Sequence, residues 1–357
     1  MKILMLGNDS SVRGGITSVI SQLLAHDWST ENVEMKFIPT YVETNNVKKI
    51  LFFMKALGKI KKEFKANKPD VVHMHMSYKG SFTRKYILHN LCKNNRIPDV
   101  IHLHGSEFKK WFDESDNKKK EQIRTLLRES ASFIVLGEKW NQIVKEIEPN
   151  TNTLVVSNTV HIPNYTVEWQ QPFKVLFMGV LIERKGISDL IQAVKLLKAE
   201  NKLTNVKFII AGGGTQEGEL KKQSCKFGLD DYIEFAGWVS GEKKERLLKT
   251  CQMFVLPSYN EGLPISILEA VSYGMPVVAT DVGDISSAVI AGENGYLIEP
   301  GNVQQLADCI LSVFENKQRY IKLRDGSKRI AEERFSDDKY FREITKCYKT
   351  VRGIDYN

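Results

Sequence analysis

Short apolar runs bounded by glycine, proline and polar residues recur along this chain, and stretches with helical spacing lie between them. Lys2-Ile3-Leu4-Met5-Leu6 is the first such run, and Ile16 to Leu24 follows it with helical periodicity. Pro69 to Met76, Pro98 to His104 and Ser132 to Gly137 read as further buried strands, and Thr153 to Asn158 closes this half. Pro163 to Pro172 is polar and irregular and reads as a linker. The pattern then restarts: Phe173 to Gly179, Val206 to Ala211, Ile233 to Val239, Met253 to Leu256 and Pro276 to Thr280 read as strands with helices between them. Near-continuous apolar strands alternating with helices predict parallel sheets covered on both faces. The expected fold class is α/β, with two facing Rossmann-like doubly wound domains, 1–165 and 172–337, and a site in the cleft between them.

One helical stretch stands apart. Between Asn45 and Lys68, Ile50, Phe53, Leu57, Ile60 and Phe64 recur at three and four residues and make one apolar stripe. Lys48, Lys55, Lys59 and Lys62 fall on the opposite side, with Leu51 and Phe52 turned toward them. The ordinary reading is a helix packed on the sheet with a solvated lysine face. The sharper one is a helix at an anionic membrane surface, where each basic residue contributes roughly 1 kcal/mol. Glu107 to Arg128 mixes Phe108, Trp111 and Phe112 with Lys109, Lys110 and Lys118 to Lys120. It suits either contact with an acceptor or membrane, or a mobile charged loop leading into a helix.

Composition narrows the classes. The 357 residues, 42% hydrophobic and 26% charged, fit two soluble domains. No apolar run approaches the roughly 20 residues that span a bilayer, and the first strand is too short for a secretory signal. Five scattered cysteines show neither paired nor metal-like spacing, which suits a reducing cytoplasm. The net charge of +8 is compatible with nucleic acid, an anionic membrane or anionic substrates. No nucleic-acid-binding motif accompanies it, so nucleic acid is not expected as a partner.

The stretch with most chemistry is Ser258 to Ala270. A buried strand runs through Pro257 into a polar loop and then a helix, with Pro264 expected at the first helical position. Gly262 allows close approach of the backbone to a ligand, and the free N–H groups of a helix start suit a phosphate. Glu261 and Glu269 are out of place beside a phosphate but suited to accept from sugar or ribose hydroxyls. Together these features suggest a nucleotide sugar. On spacing alone, two glutamates with seven residues between them are ordinary surface residues. Gly14-Gly15 before a helix, and Arg184-Lys185 before another, are likewise unremarkable in isolation, although two cations there suit a diphosphate. His104 stands at the carboxyl end of a strand, where ligand groups gather in parallel sheets. His73 and His75 share one strand face, with no third metal ligand evident in the sequence.

Asn260-Glu261-Gly262-Leu263-Pro264, continuing to Leu268-Glu269-Ala270, resembles the signature of retaining glycosyltransferases of family 4, of the bacterial surface-polysaccharide type, which have the two-domain GT-B fold. Matches from Gly14 to the C-terminal region extend the resemblance over most of the chain. It implies that the helix at about 338–357 crosses back onto the first domain. It also implies roles for individual residues. Glu269 would accept from the ribose. Arg184 and Lys185 would stabilise the departing diphosphate, with the backbone of Gly262, Leu263, Pro264 and Ile265. Glu261 and His104 would position the transferred sugar, and the backbone of Gly14 and Gly15 would approach that sugar or a phosphate. Gly237 would hold the base through its backbone, with Trp238 either covering the base or packed in the core. Val180 departs from the pattern, since many members carry arginine there. The resulting expectation is a retaining transferase that takes a hexose from a nucleotide sugar, with UDP expected, and delivers it to a glycan or lipid-linked acceptor. No cofactor and no metal would be required, since the cations replace a divalent ion. The enzyme would be cytoplasmic, or peripheral at the inner membrane face through residues 45–68. The alternative is a non-catalytic GT-B subunit that binds a partner glycosyltransferase or a glycan.

Overall fold

The apolar runs become strands and the periodic stretches become helices. In the computed structural model, which describes residues 1–353, the chain divides into two units: Met1–Ser157 with the segment from Tyr340 onward, and Asn158–Lys339. The first unit runs β1 (Lys2–Asn8), α1 (Gly15–Ala25), β2 (Glu34–Tyr41), α2 (Asn46–Asn67), β3 (Val71–Met76), α3 (Gly80–Asn94), β4 (Asp99–Leu103), α4 (Phe108–Glu114), α5 (Asn117–Glu129), β5 (Ser132–Val135), α6 (Glu138–Ile147) and β6 (Thr153–Val155). Its strands are all parallel, in the order β2-β1-β3-β4-β5-β6. β3, β4 and β5 are buried along their length, as expected for strands covered on both faces. Residues 107–128, expected as a loop leading into a helix, form α4 and most of α5, so the helical part begins already at Phe108, with Phe108 and Phe112 in the core.

The second unit runs β7 (Phe173–Met178), α7 (Ile187–Ala199), β8 (Val206–Ala211), α8 (Glu217–Lys226), β9 (Ile233–Gly237), α9 (Gly241–Thr250), β10 (Met253–Leu256), α10 (Ile265–Ser272), β11 (Val277–Thr280), β12 (Gly295–Ile298), α11 (Val303–Phe314) and α12 (Lys317–Arg334). Its parallel sheet has the order β12-β11-β10-β7-β8-β9. The order reverses between β7 and β10, so the crevice for a ligand is expected at the carboxyl ends of those two strands. The stretch 163–172, expected as a linker, is part of this unit. Val167 is buried, its N–H donates to the Tyr273 carbonyl at 2.9 Å, and Tyr320 Oη donates back to the Val167 carbonyl at 3.0 Å.

Two helices are unusual among these. The last, α13 (Asp337–Arg352), begins in the second unit, and its residues from Tyr340 onward belong to the first. There Phe341 stacks on His26 at 3.6 Å and meets Trp28 edge-on, while Tyr348 is fully buried beside His73. Residues 354–357 of the expected helix span lie outside the described residues. In α2, Phe53, Ala56, Ile60 and Phe64 are buried as the periodicity predicts, but Ile50 is exposed, together with Val47, Leu51 and Met54. The reason is the helix face: at about 100° per residue, Val47, Leu51 and Met54 fall outside the stripe that Phe53, Ala56, Ile60 and Phe64 bury, and Ile50 stands at its edge.

Candidate functional site

The carboxyl ends of β7 and β10 gather the predicted charges. After β7 the chain makes a single tight helical turn, Glu183–Lys185, and leaves it through Gly186 at φ +66°. A Cβ at Gly186 would lie 2.0 Å from the Pro257 carbonyl oxygen, so only glycine lets this turn lie against the end of β10. The Tyr259 N–H closes the contact by donating to the Arg184 carbonyl at 2.7 Å. The loop after β10 is held from three further sides. Thr280 Oγ1 donates to the Ser258 carbonyl, Asn158 Nδ2 donates to the Leu263 carbonyl at 2.8 Å, and the Asp284 N–H donates to the Gly262 carbonyl at 2.9 Å.

Glu261 is consequently buried, and it needs partners there. Its Oε1 accepts from Ser258 Oγ at 2.8 Å and is paired with Lys185 Nζ; Arg184 Nη1 stands 3.6 Å from Oε2 and donates to the Asn260 carbonyl at 2.8 Å. Two of the three charged groups in this contact are cations. The loop ends at Pro264, which caps α10 in extended conformation; the helix begins at Ile265. The proline therefore sits one place earlier than the first helical position expected of it. Leu263 and Ile265 are buried and fix the entry of the helix, while Gly262 and Pro264 are partly exposed.

Glu269 lies further along α10 and is paired with Lys244 of α9 at 2.6 Å. Gly237 ends β9 at φ +69° with open space where a Cβ would stand, and Trp238 beside it is partly exposed, which takes the ring out of the fully buried core. Val180 follows Gly179 at the end of β7 and is also partly exposed. Ser258 and Lys244 were not singled out by the sequence. A serine three residues before a glutamate carries little signal, and Lys244 is distant in sequence from Glu269.

In the first unit, Gly14 caps α1 at φ +137°, and neither Gly14 nor Gly15 has an atom near its missing Cβ. His104 follows β4; its N–H donates to the Met76 carbonyl at 2.8 Å, and its Nε2 lies 2.9 Å from His75 Nδ1. Part of His104 reaches solvent, yet the ring is enclosed enough that burial, reinforced by His73 and Lys85, lowers its pKa to about 3. It is a neutral imidazole at neutral pH. Lys85, also missed, is fully buried in α3 with Nζ donating to Thr40 Oγ1 at 3.1 Å. Burial, with the neighbouring Arg84 charge, lowers its pKa to about 7. Its sequence signal was its spacing: Phe82, Lys85, Leu88 and Cys92 lie on one buried face.

Residues 165–333 match the family model of glycosyl transferases group 1. The amylovoran biosynthesis glycosyltransferase AmsK of Erwinia amylovora is 25% identical over 309 residues, covering 82% of this chain and 72% of that protein. Among solved structures, the sucrose-phosphate synthase (tll1590) from Thermosynechococcus elongatus superposes with a TM-score of 0.81 at 14% identity, covering 98% of this chain and 99% of that one. Anabaena Alr3699/HepE in complex with UDP gives 0.77 at 19% identity, covering 98% and 100%. Both units and these likenesses give the GT-B fold, and the family match and relatives support a glycosyltransferase.

Proposed function

We propose that this chain is a retaining glycosyltransferase that moves a hexose-type sugar from a UDP-sugar to a glycan or lipid-linked acceptor, in surface-polysaccharide synthesis. The observation that carries it is buried Glu261, held by Lys185, Arg184 and Ser258 at the switch point of the second sheet. In this reading the excess cation meets the diphosphate, and the N–H groups at the start of α10 join it. As the donor's glycosidic bond breaks, negative charge develops on the diphosphate. Lys185 and Arg184, already fixed by Glu261, stabilise it without reorganising. The same cations replace a divalent ion, so no metal takes part in transfer. Glu269 exchanges Lys244 for the ribose hydroxyls. Trp238 and the Gly237 backbone address the base. Glu261 and neutral His104 act on the sugar through hydrogen bonds, and the open backbone of Gly14-Gly15 leaves room for it. Retention is carried by the resemblance of the Glu261 to Glu269 signature.

The UDP preference draws support from the solved relative that contains UDP. A place at the inner face of the cell membrane draws support from α2, where Val47, Ile50, Leu51 and Met54 are each more than half exposed among exposed lysines. The test is a thermal-shift screen with UDP, GDP and ADP and their sugar conjugates, in EDTA. A nucleotide at 100 times its dissociation constant adds about 2.7 kcal/mol of stability. The expected result is a shift with the UDP series. No shift with any series would overturn this reading in favour of a non-catalytic GT-B subunit, with Val180 the first residue to examine.

A further inference from the structure

The most unusual chemistry outside the donor site lies inside the first sheet. β3 and β4 are parallel neighbours with His75 opposite His102. Strand alternation puts His73 and His75 on one face, and His102 and His104 beside them. The four rings form a stacked array with neighbouring centroids 4.2–5.5 Å apart. His73, His75 and His102 are buried to within 1%.

A neutral imidazole has one N–H and one lone pair. His73 uses Nδ1 with Tyr348 Oη at 2.7 Å, and His75 uses Nδ1 with His104 Nε2 at 2.9 Å. Nε2 of His73, Nε2 of His75 and both nitrogens of His102 are buried without a hydrogen-bond partner among the described residues. Buried polar atoms are nearly always paired, so four orphans on three adjacent rings call for an explanation. One ring nitrogen from each of the three histidines lies within 4.8 Å of the other two.

We propose that His73, His75 and His102 bind a divalent transition-metal ion of the zinc class. The outward hydrogen bonds fit this role. Metal-ligating histidines usually donate the far N–H to an acceptor, which fixes the tautomer and leaves the other nitrogen bare. Tyr348 Oη and His104 Nε2 are such acceptors. An all-imidazole set without a carboxylate suits zinc, cobalt, nickel or copper and does not suit magnesium or calcium. The near-parallel planes, 9–30° between these three rings, require rotation about χ2 to bring the lone pairs to one point, and Tyr348 Oη and the His104 ring have to follow the Nδ1 atoms as the rings turn. That torsion is broad for histidine. Three ligands leave a fourth position open. The ion would join β3 to β4 and takes no part in the transfer proposed above.

The test uses the full chain, stripped with chelator and then dialysed slowly against zinc or cobalt before desalting. The expected result is about one metal ion per chain by mass spectrometry, a raised Tm, and the strong visible absorption of four- or five-coordinate cobalt. His102→Gln is expected to lose the ion. Tyr348→Phe, which keeps the ring and removes only the acceptor, is expected to weaken retention 10–100-fold. His26→Gln with His161→Gln, outside the cluster, is expected to retain it. Folded wild-type chain that takes up no ion overturns the proposal, as does the weak spectrum of six-coordinate cobalt. Should His102→Gln fail to fold, the wild-type uptake and Tyr348→Phe decide the matter alone.

Discussion

Lys185 and Glu261 stabilise each other where neither charge could stay buried by itself. In Lys185→Ala, Ser258 and Arg184 still reach the carboxylate, so the fold is expected to survive while kcat falls about 10²–10³-fold. Glu269→Ala is expected to lose turnover in the same way. Steady-state kinetics alongside circular dichroism checks both; wild-type turnover in either folded variant removes the assigned roles. Lys85 gives a different kind of prediction. Its folded pKa is about 7 against an ordinary 10.5, so between these values the unfolded chain binds more protons and stability rises with pH. Lys85→Met is therefore expected to stabilise most near pH 7 and below, with the gain shrinking toward pH 10; denaturant unfolding across that range measures it. At this scale the sequence was legible where a site is local. Arg184, Lys185 and Glu261 stand in short loops whose glycines and prolines fix the backbone. Lys244 beside Glu269 was not legible, because the two stand 25 residues apart on different helices.

Helix α2 carries the prediction at the level of elements. Val47, Ile50, Leu51 and Met54 are spaced at three and four residues, so they share one exposed face. Flotation with vesicles is expected to show binding to anionic and much less to neutral lipid. Replacing these four residues by serine should abolish it, and replacing Lys55, Lys59 and Lys62 by glutamate should reverse the preference. Equal binding to both vesicle types, or none, removes the membrane role. Buried parallel strands were readable because both faces are apolar. β2 does not stand out in the apolar pattern because an edge strand is half exposed, alternates in polarity and tolerates Pro39. Ile50 stands at the edge of the buried stripe, where periodicity alone does not decide whether a residue is covered.

For the molecule as a whole, the two units differ in how the chain builds them. The second is continuous, Asn158–Lys339, whereas the first needs α13 to cover Trp28, His26 and His73. Deleting residues 337–357 is expected to strip hydrogen-exchange protection from β3 and β4 before β7 and β8, while the thermal shift with UDP persists. Equal loss in both sheets would show that the division has no energetic meaning. Two doubly wound halves could be inferred from alternating strands and helices, since that pattern repeats along the chain. The placement of the 163–172 stretch within the second unit depends on contacts with residues distant in sequence, among them Tyr165 Oη with the Lys249 carbonyl, Glu168 with Arg324 and Trp169 with Tyr320, and was not visible. The discontinuity of the first unit also has a consequence during synthesis. Its six strands leave the ribosome first, yet the aromatic residues that seal its histidine face are translated last. The second unit holds all its residues once Lys339 has emerged. Order of completion thus runs opposite to order of translation, and the nascent first sheet waits with an apolar face uncovered, the period in which chaperone capture or aggregation would act on it.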